Sequence, residues 1–187
     1  MAISRKDHLV ETALDLFYRH GFHATGIDRI LAESGVAKMT LYKHFKSKED
    51  LILAALRLRD ERFRAWFRAE VENRTRSPRK RLLTIFDVLE EWFGAVGFQG
   101  DMFINAAAEY GDLAHPIHAA AADHKTAMRR YFLDLAGAAG ARDAELLADQ
   151  LALLVDGAIA AAHVGGNMRS ARHARRIAKL LLRNADV

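Results

Sequence analysis

Apolar residues recur along this chain at three- and four-residue steps, and alternating β-branched runs are missing. Over Ser4 to His20, Leu9, Ala13, Leu16 and Phe17 share one face, and Gly21 follows as a stop. A second, short helix is predicted over Gly26 to Ser34, with Ile27, Ile30 and Leu31 together and Gly35 ending it. The third, Ala37 to Phe45, sets Leu41 four residues before Phe45. Ser47 then caps a long fourth helix that runs to Asn73 through Leu51, Leu56, Phe63, Trp66 and Phe67. Asp50, three residues after that cap, comes close to a capping box, and Glu49 beside it suits the helix dipole.

The basic, polar stretch "NRTRSPRK" is a boundary, and Pro78 opens a fifth helix through Leu82, Ile85, Phe86, Leu89 and Phe93. "VGFQG" interrupts. "DMFINAAAEYG" predicts a shorter sixth helix, and "HPIHAAAADHKTAMRRYFLDLAGAAG" a long seventh that stops at Gly137 or Gly140. Asp143 to Val164 and Ser170 to Ala185 complete the series. Both prolines, Pro78 and Pro116, fall at helix starts. The predicted fold class is all-α, about nine helices. A three-helix helix-turn-helix head over residues 1–47 precedes a C-terminal helical domain over 48–187, entered through the linking helix 48–74.

Composition narrows the chemistry. Of 187 residues 51% are hydrophobic, ample for a core and contrary to disorder. There is no cysteine, which excludes disulfide staples, thiolate zinc sites and cysteine nucleophiles, and fits a reducing cytoplasm. Charges interrupt every apolar run of "MAISRKDHLVETALDLF", so a signal-peptide core is not expected there. No stretch reaches the roughly 18 uncharged apolar residues of a membrane span, so no membrane partner is expected. The formal charge is +4, and the stretch from Gly35 to Lys48 carries Lys38, Lys43, Lys46 and Lys48 without one acidic residue.

In the helix-turn-helix, Gly35 permits the left-handed turn. Ala32 is small enough to let the two helices cross closely, and Val36 is expected beneath them. Ile30, Leu31, Leu41 and Phe45 tie both helices to the first, which leaves Lys38, Met39, Thr40, Tyr42, Lys43 and His44 facing outward. Those types suit duplex DNA. Lysine meets phosphate or guanine, threonine donates to either phosphate or base, and tyrosine and histidine join a flat apolar body to a polar tip. Lys48 enters the first turn of the fourth helix, whose N–H groups also attract phosphate.

"GFHATGIDRILAESGVAKMTLYKHFKSKEDLILAAL", Gly21 to Leu56, resembles the DNA-binding domain of the TetR (tetracycline repressor) family, over about a fifth of the chain. The pattern falls on Gly21-Phe22, Thr25, Ile30 and Ala32, Gly35-Val36, Thr40-Leu41-Tyr42, His44-Phe45 and Ser47-Lys48-Glu49-Leu51. Lys46 stands where the family often has proline, and Gly26 where serine or threonine is usual, which removes a side-chain cap. The resemblance implies a homodimeric transcription regulator, usually a repressor, that leaves a palindromic double-stranded operator when a small-molecule inducer binds. It makes Thr25, Lys38, Met39, Thr40, Tyr42, Lys43, His44 and Lys48 the DNA-contact candidates.

The same resemblance implies that the last two helices pair with their copies, with Leu151, Leu154, Val155, Ala158, Ala162, Ile177 and Leu181 as interface candidates. The eighth helix is apolar on more than one face and rich in small residues, as close packing requires. An inducer pocket is expected between the fifth and eighth helices. Trp92, Phe93, Phe98, Met102 and Phe103 are its candidate walls, Asn105, Glu109 and His163 its polar anchors, and Tyr110 and His118 lie beside them. That lining favours an apolar or weakly polar ligand. The six cations of the ninth helix read as a solvated face. His115, His118, Asp123 and His124 lack the H-E-x-x-H spacing, so no metal or other cofactor is assigned. Neither a Walker loop, a G-x-S-x-G elbow nor a G-x-G-x-x-G motif occurs, so no enzyme is expected. The rival readings are an architectural DNA-binding protein of low sequence preference and an all-α enzyme with an unmatched C-terminal site.

Overall fold

A computed structural model of the chain describes residues 4–187. Among them nine α-helices form and no strand: α1 Arg5–His20, α2 Ile27–Ser34, α3 Lys38–His44, α4 Lys48–Arg74, α5 Pro78–Phe93, α6 Met102–Glu109, α7 Pro116–Ala138, α8 Ala144–Gly165 and α9 Ser170–Asn184. The boundaries differ from expectation mainly at the caps. Ser4, Gly26 and Ala37 hold extended backbone one residue before their helices, and Asp143 caps α8 through Leu146 N–H. α7 runs through Gly137, and the left-handed residue that ends it is Gly140.

The chain divides into two compact units. The first takes residues up to Arg62 together with Met102–His124. Its core gathers Leu9, Leu16, Phe17 and Phe22 with Ile30, Leu41 and Phe45, then Leu51, Ile52 and Leu56 from α4, and Phe103 and Ala106 from α6. Each large side chain so buried contributes roughly 1.5–3 kcal/mol. α2 turns into α3 at Gly35, whose φ of 65° is open to glycine and strained for most other residues. Val36 lies beneath this turn as expected, but Ala32 faces solvent, and Ser34 is the small buried residue of α2. Its carbonyl lies 3.1 Å from His8 Nε2 on α1.

The second unit comprises Phe63–Asp101 and Lys125–Val187. Here α5, α8 and α9 pack together with the ends of α4 and α7 around Phe67, Ile85, Phe86, Leu89, Phe132, Leu147 and Leu151. Ser170 Oγ donates to Ala158 O over 2.7 Å and fixes the start of α9 on α8. The loop before α6 is held in this unit too. Lys125 Nζ lies 2.6 Å from both Asp101 and Asp156. Burial pulls that ammonium's pKa down, but the two carboxylates outweigh it and hold the pKa above the lysine range. Gly100, with φ of 77°, lies so close under His163 that a Cβ would meet the ring at 2.6 Å.

By length and hydropathy α8 alone, among the described residues, passes for a membrane span. Asp149 and Asp156 interrupt it, and Leu147, Ala148, Leu151, Val155, Ala158, Ile159 and Ala162 bury one face in this unit's core.

Candidate nucleic-acid interface

α3 is seven residues long, too short to persist alone, so its stability comes from what it packs against. Leu41 and Phe45 anchor it in the core at 0% and 5% exposure. The opposite side is open: Met39 is 87% exposed, Tyr42 49%, and Lys38, Lys43 and His44 are exposed as well. Thr40 is half-buried. Lys38 Nζ lies 3.7 Å from Asp28 across the turn, an exposed pair of little energetic weight. The side chains of Lys43 and Lys46 form no ion pair among the described residues, so their charge is available to an anion.

The flanks complete the surface. Ser47 Oγ accepts from Asp50 N–H over 3.1 Å and starts α4, while Asp50 reaches back to Lys46 N–H over 3.0 Å. This reciprocal cap fixes Lys48 in the first turn, with Nζ 3.4 Å from His23 O. Gly26 caps α2 without a side-chain bond. Lys6, not singled out from the sequence, sits 5.9 Å over the Phe45 ring and adds a cation at the end of α3; the "SRK" that opens α1 is its sequence signal.

Thr25 differs from the other candidates. It is fully buried, and its hydroxyl donates to Gly21 O over 2.7 Å, so the side chain closes the turn between α1 and α2 and does not point outward. Glu109, at the end of α6, braces the same turn. Its carboxylate accepts from Phe22 N–H at 2.9 Å and His23 N–H at 2.6 Å, and lies 2.9 Å from His23 Nδ1. The His23 ring stacks on Tyr110 at 4.7 Å, and His118 Nδ1 is 2.9 Å from Tyr110 O. Burial, then Glu49 and Glu109, push the Tyr110 phenol upward.

The residues expected to line a pocket fall into separate groups. In the first unit Met102 and Phe103 are core residues. Phe103 lies parallel to His124 at 3.7 Å, and His124 Nδ1 is 2.7 Å from Asp60 Oδ1. Asn105 on α6 is half-buried. In the second unit Phe98 joins Trp92 at 5.0 Å, Phe93 at 5.2 Å and His163 at 6.2 Å, so these four do come together. Tyr131 on α7, not anticipated from the sequence, is buried against Phe67 and Phe132 of the same unit, and its hydroxyl has no hydrogen-bond partner among the described residues. No three His, Cys, Asp or Glu side chains among the described residues converge as a metal site. His115 Nδ1 accepts from Ile117 N–H, and His118 and His124 are engaged as above.

Of the interface candidates, Leu151, Val155, Ala158 and Ala162 are buried in this chain's own core, whereas Leu154 and Leu181 are half-buried and Ile177 is exposed. The outward row on α8 is instead Leu146, Leu153, Gly157, Ala160 and Val164, and α9 exposes Ile177 and Leu180.

A three-helix head with a buried core that presents a short, cation-bearing helix after a glycine turn defines a helix-turn-helix DNA-binding protein. Comparison with known proteins is more specific. The profile "Bacterial regulatory proteins, tetR family" matches residues 9–55. A TetR-family transcriptional regulator from Streptomyces coelicolor superposes with a TM-score of 0.89 at 32% identity, over 98% of this chain and 96% of that one. A TetR-type regulator from Streptomyces avermitilis gives 0.86 at 34% identity, over 99% and 100%. The HTH-type transcriptional regulator YjdC of Escherichia coli is 26% identical over 183 residues, 98% of this chain and 95% of that protein. The chain belongs to the TetR family: it is a DNA-binding transcriptional regulator and not an enzyme.

Proposed function

We propose that this regulator works as a homodimer that grips a near-palindromic operator with two copies of α3 and releases it when a small molecule binds, most simply as a repressor in the cytoplasm. The observation that carries the reading is the division of α3: Leu41 and Phe45 are locked in the core, while Lys38, Met39, Tyr42, Lys43 and His44 are displayed on the other side. In a dimer the two recognition helices fall about 34 Å apart, one turn of the duplex, so operator symmetry mirrors protein symmetry. Residues 1–47 then form the reading head and 48–187 the sensing and pairing part.

The exposed apolar residues Leu146, Leu153 and Val164 of α8 and Ile177 and Leu180 of α9 support self-association, since exposed apolar side chains on two packed helices favour burial against a copy. Light scattering tests it, and a stable 20.9 kDa species rejects it. For the inducer, the cluster of Trp92, Phe93, Phe98 and His163 favours an apolar or weakly polar compound, and the unpartnered Tyr131 hydroxyl is a further candidate anchor.

The decisive experiment is selection of duplexes from a random pool, then titration of the selected and a scrambled duplex at fixed salt. A clear preference for a palindrome is expected. Equal affinity for both duplexes makes the chain an architectural binder, and absence of binding at low ionic strength refutes the reading of α3. Lys43→Ala and Lys48→Ala should each weaken binding and flatten its salt dependence by about one counterion.

A further inference from the structure

The seam between α5 and α9 changes character along its length. The helices run antiparallel, and at one end each α9 cation meets an α5 acid: Arg172 pairs with Glu90, and Arg175 Nε lies 2.8 Å from Asp87 Oδ1. One turn further on, α5 offers Leu83, then Lys80 and Arg79, with no carboxylate. There the seam opens into a cleft of about 470 Å³ lined by Ser77, Arg79, Lys80, Leu83, Lys179, Leu182 and Arg183.

The four cations come from both helices, are exposed, and form no ion pair among the described residues. Arg79 and Lys80 also occupy the first turn of α5, which holds no acidic residue and whose own dipole opposes them. Like charges gathered this way repel, and an anion among them reverses the sign of the interaction. Between them the surface is apolar, formed by half-buried Leu83, buried Leu182 and the aliphatic stems of the cations. None of these residues belongs to the reading head, the exposed pairing row or the aromatic cluster.

We propose that this cleft binds a small anionic amphiphile. Its phosphate or carboxylate oxygens meet Arg79, Lys80, Lys179 and Arg183, and its apolar portion lies over Leu83 and Leu182. The volume is that of a small-molecule site, and two guanidiniums and two ammoniums lining one cleft suit a phosphate or carboxylate better than a neutral ligand. The charge alone could also serve duplex phosphate, but the apolar floor and the concave shape favour the small molecule, and the two separate experimentally.

The test is calorimetry on the full chain at low ionic strength with inorganic pyrophosphate and with decyl phosphate below its micellar concentration. Decyl phosphate should bind saturably, one per chain, and more tightly than pyrophosphate because it alone uses the leucines. K179Q/R183Q and, from the other helix, R79Q/K80Q should each weaken it by about tenfold or more. R130Q/R169Q, which removes the same charge elsewhere on this unit, should change it by less than roughly twofold. All six positions are solvent-exposed or half-buried, and matched circular dichroism and melting establish that the variants fold. Absence of saturable binding below about 1 mM overturns the proposal. So does equal loss in R130Q/R169Q, or equal affinity for the two probes. If K179Q/R183Q instead weakens duplex binding as much as Lys43→Ala and leaves decyl phosphate untouched, the cleft serves DNA and the proposal is wrong.

Discussion

Tyr131 offers a sharp test of the second unit's energetics. Its side chain is buried at 6% exposure on α7, its ring meets Phe67 edge-on at 6.5 Å, and Arg68 lies over its face at 4.8 Å. The hydroxyl has no hydrogen-bond partner among the described residues. A buried polar group left unpaired costs about 1–3 kcal/mol, so Tyr131→Phe, which keeps the ring contacts, should stabilise the unit by about 1 kcal/mol. Burial first, then Glu72, push the phenol up to about 12, against the opposing pull of Arg68 and Arg81. The sign follows from which state loses its proton first. Above the ordinary tyrosine pKa of about 10 the unfolded phenol ionises while the folded one stays protonated, so stability is lost as pH rises from about 10 to about 12. At pH 11 that loss is on the order of 1 kcal/mol, and it disappears in the phenylalanine variant. Urea unfolding followed by tryptophan fluorescence reads the right part of the chain, because Trp66 and Trp92 both belong to this unit. Wild type and variant should differ by about 1 kcal/mol at pH 8 and by about 2–3 kcal/mol at pH 11. A variant less stable at pH 8, or a gap that does not widen, refutes the account of the hydroxyl.

Other consequences can be checked alongside. Thr25→Val should lower the stability of the first unit by about 1 kcal/mol through loss of the bond to Gly21 O, yet leave the salt dependence of DNA binding unchanged; a flatter slope would restore Thr25 as a phosphate contact. Glu109→Ala removes a carboxylate that holds two backbone N–H groups and should destabilise the same unit by about 2–4 kcal/mol, with faster hydrogen exchange at Phe22 and His23. Unaltered exchange at those amides would show that Glu109 is dispensable to the turn. Leu153→Glu and Ile177→Glu place a charge on the exposed row and should turn a dimer into monomers without a change in helical content. Light scattering that still reports dimers would move the pairing surface elsewhere.

Much of this was legible in the sequence, and the limits have a physical pattern. Helix positions and the inward and outward faces of α3 follow from a period of about 3.6 residues and from caps, which are local signals. What failed to show was set by how the elements pack, in some cases through a partner distant in sequence. Thr25 has the chemistry of a phosphate donor, but its hydroxyl turns inward to carbonyls of the preceding helix and turn. Ala32 suits a close crossing by size, yet it is exposed, and the small residue that α2 buries is Ser34, on roughly the opposite side of the helix. Asn105 and Glu109 share a helical face by spacing, which suggested two anchors for one ligand; Glu109 is instead engaged by amides 86 and 87 residues earlier.

α8 carries the same lesson to the proposed assembly. A helix apolar on several sides does not disclose which side its own chain will cover. Leu151 and Val155 are equivalent to Leu153 in composition and differ only in where α5 and α9 lie. Once those helices cover the row from Leu147 to Ala162, the row from Leu146 to Val164 is what remains for a copy. The basic cleft follows from register in the same way. Lys179 and Arg183 look like further members of a solvated stripe until antiparallel packing sets Arg172 against Glu90 and Arg175 against Asp87, and so brings the last cations of α9 to the end of α5 where the acids have run out. Sequence periodicity defines faces; only packing decides what each face meets, and in this protein the faces left over after packing are where its remaining partners should bind.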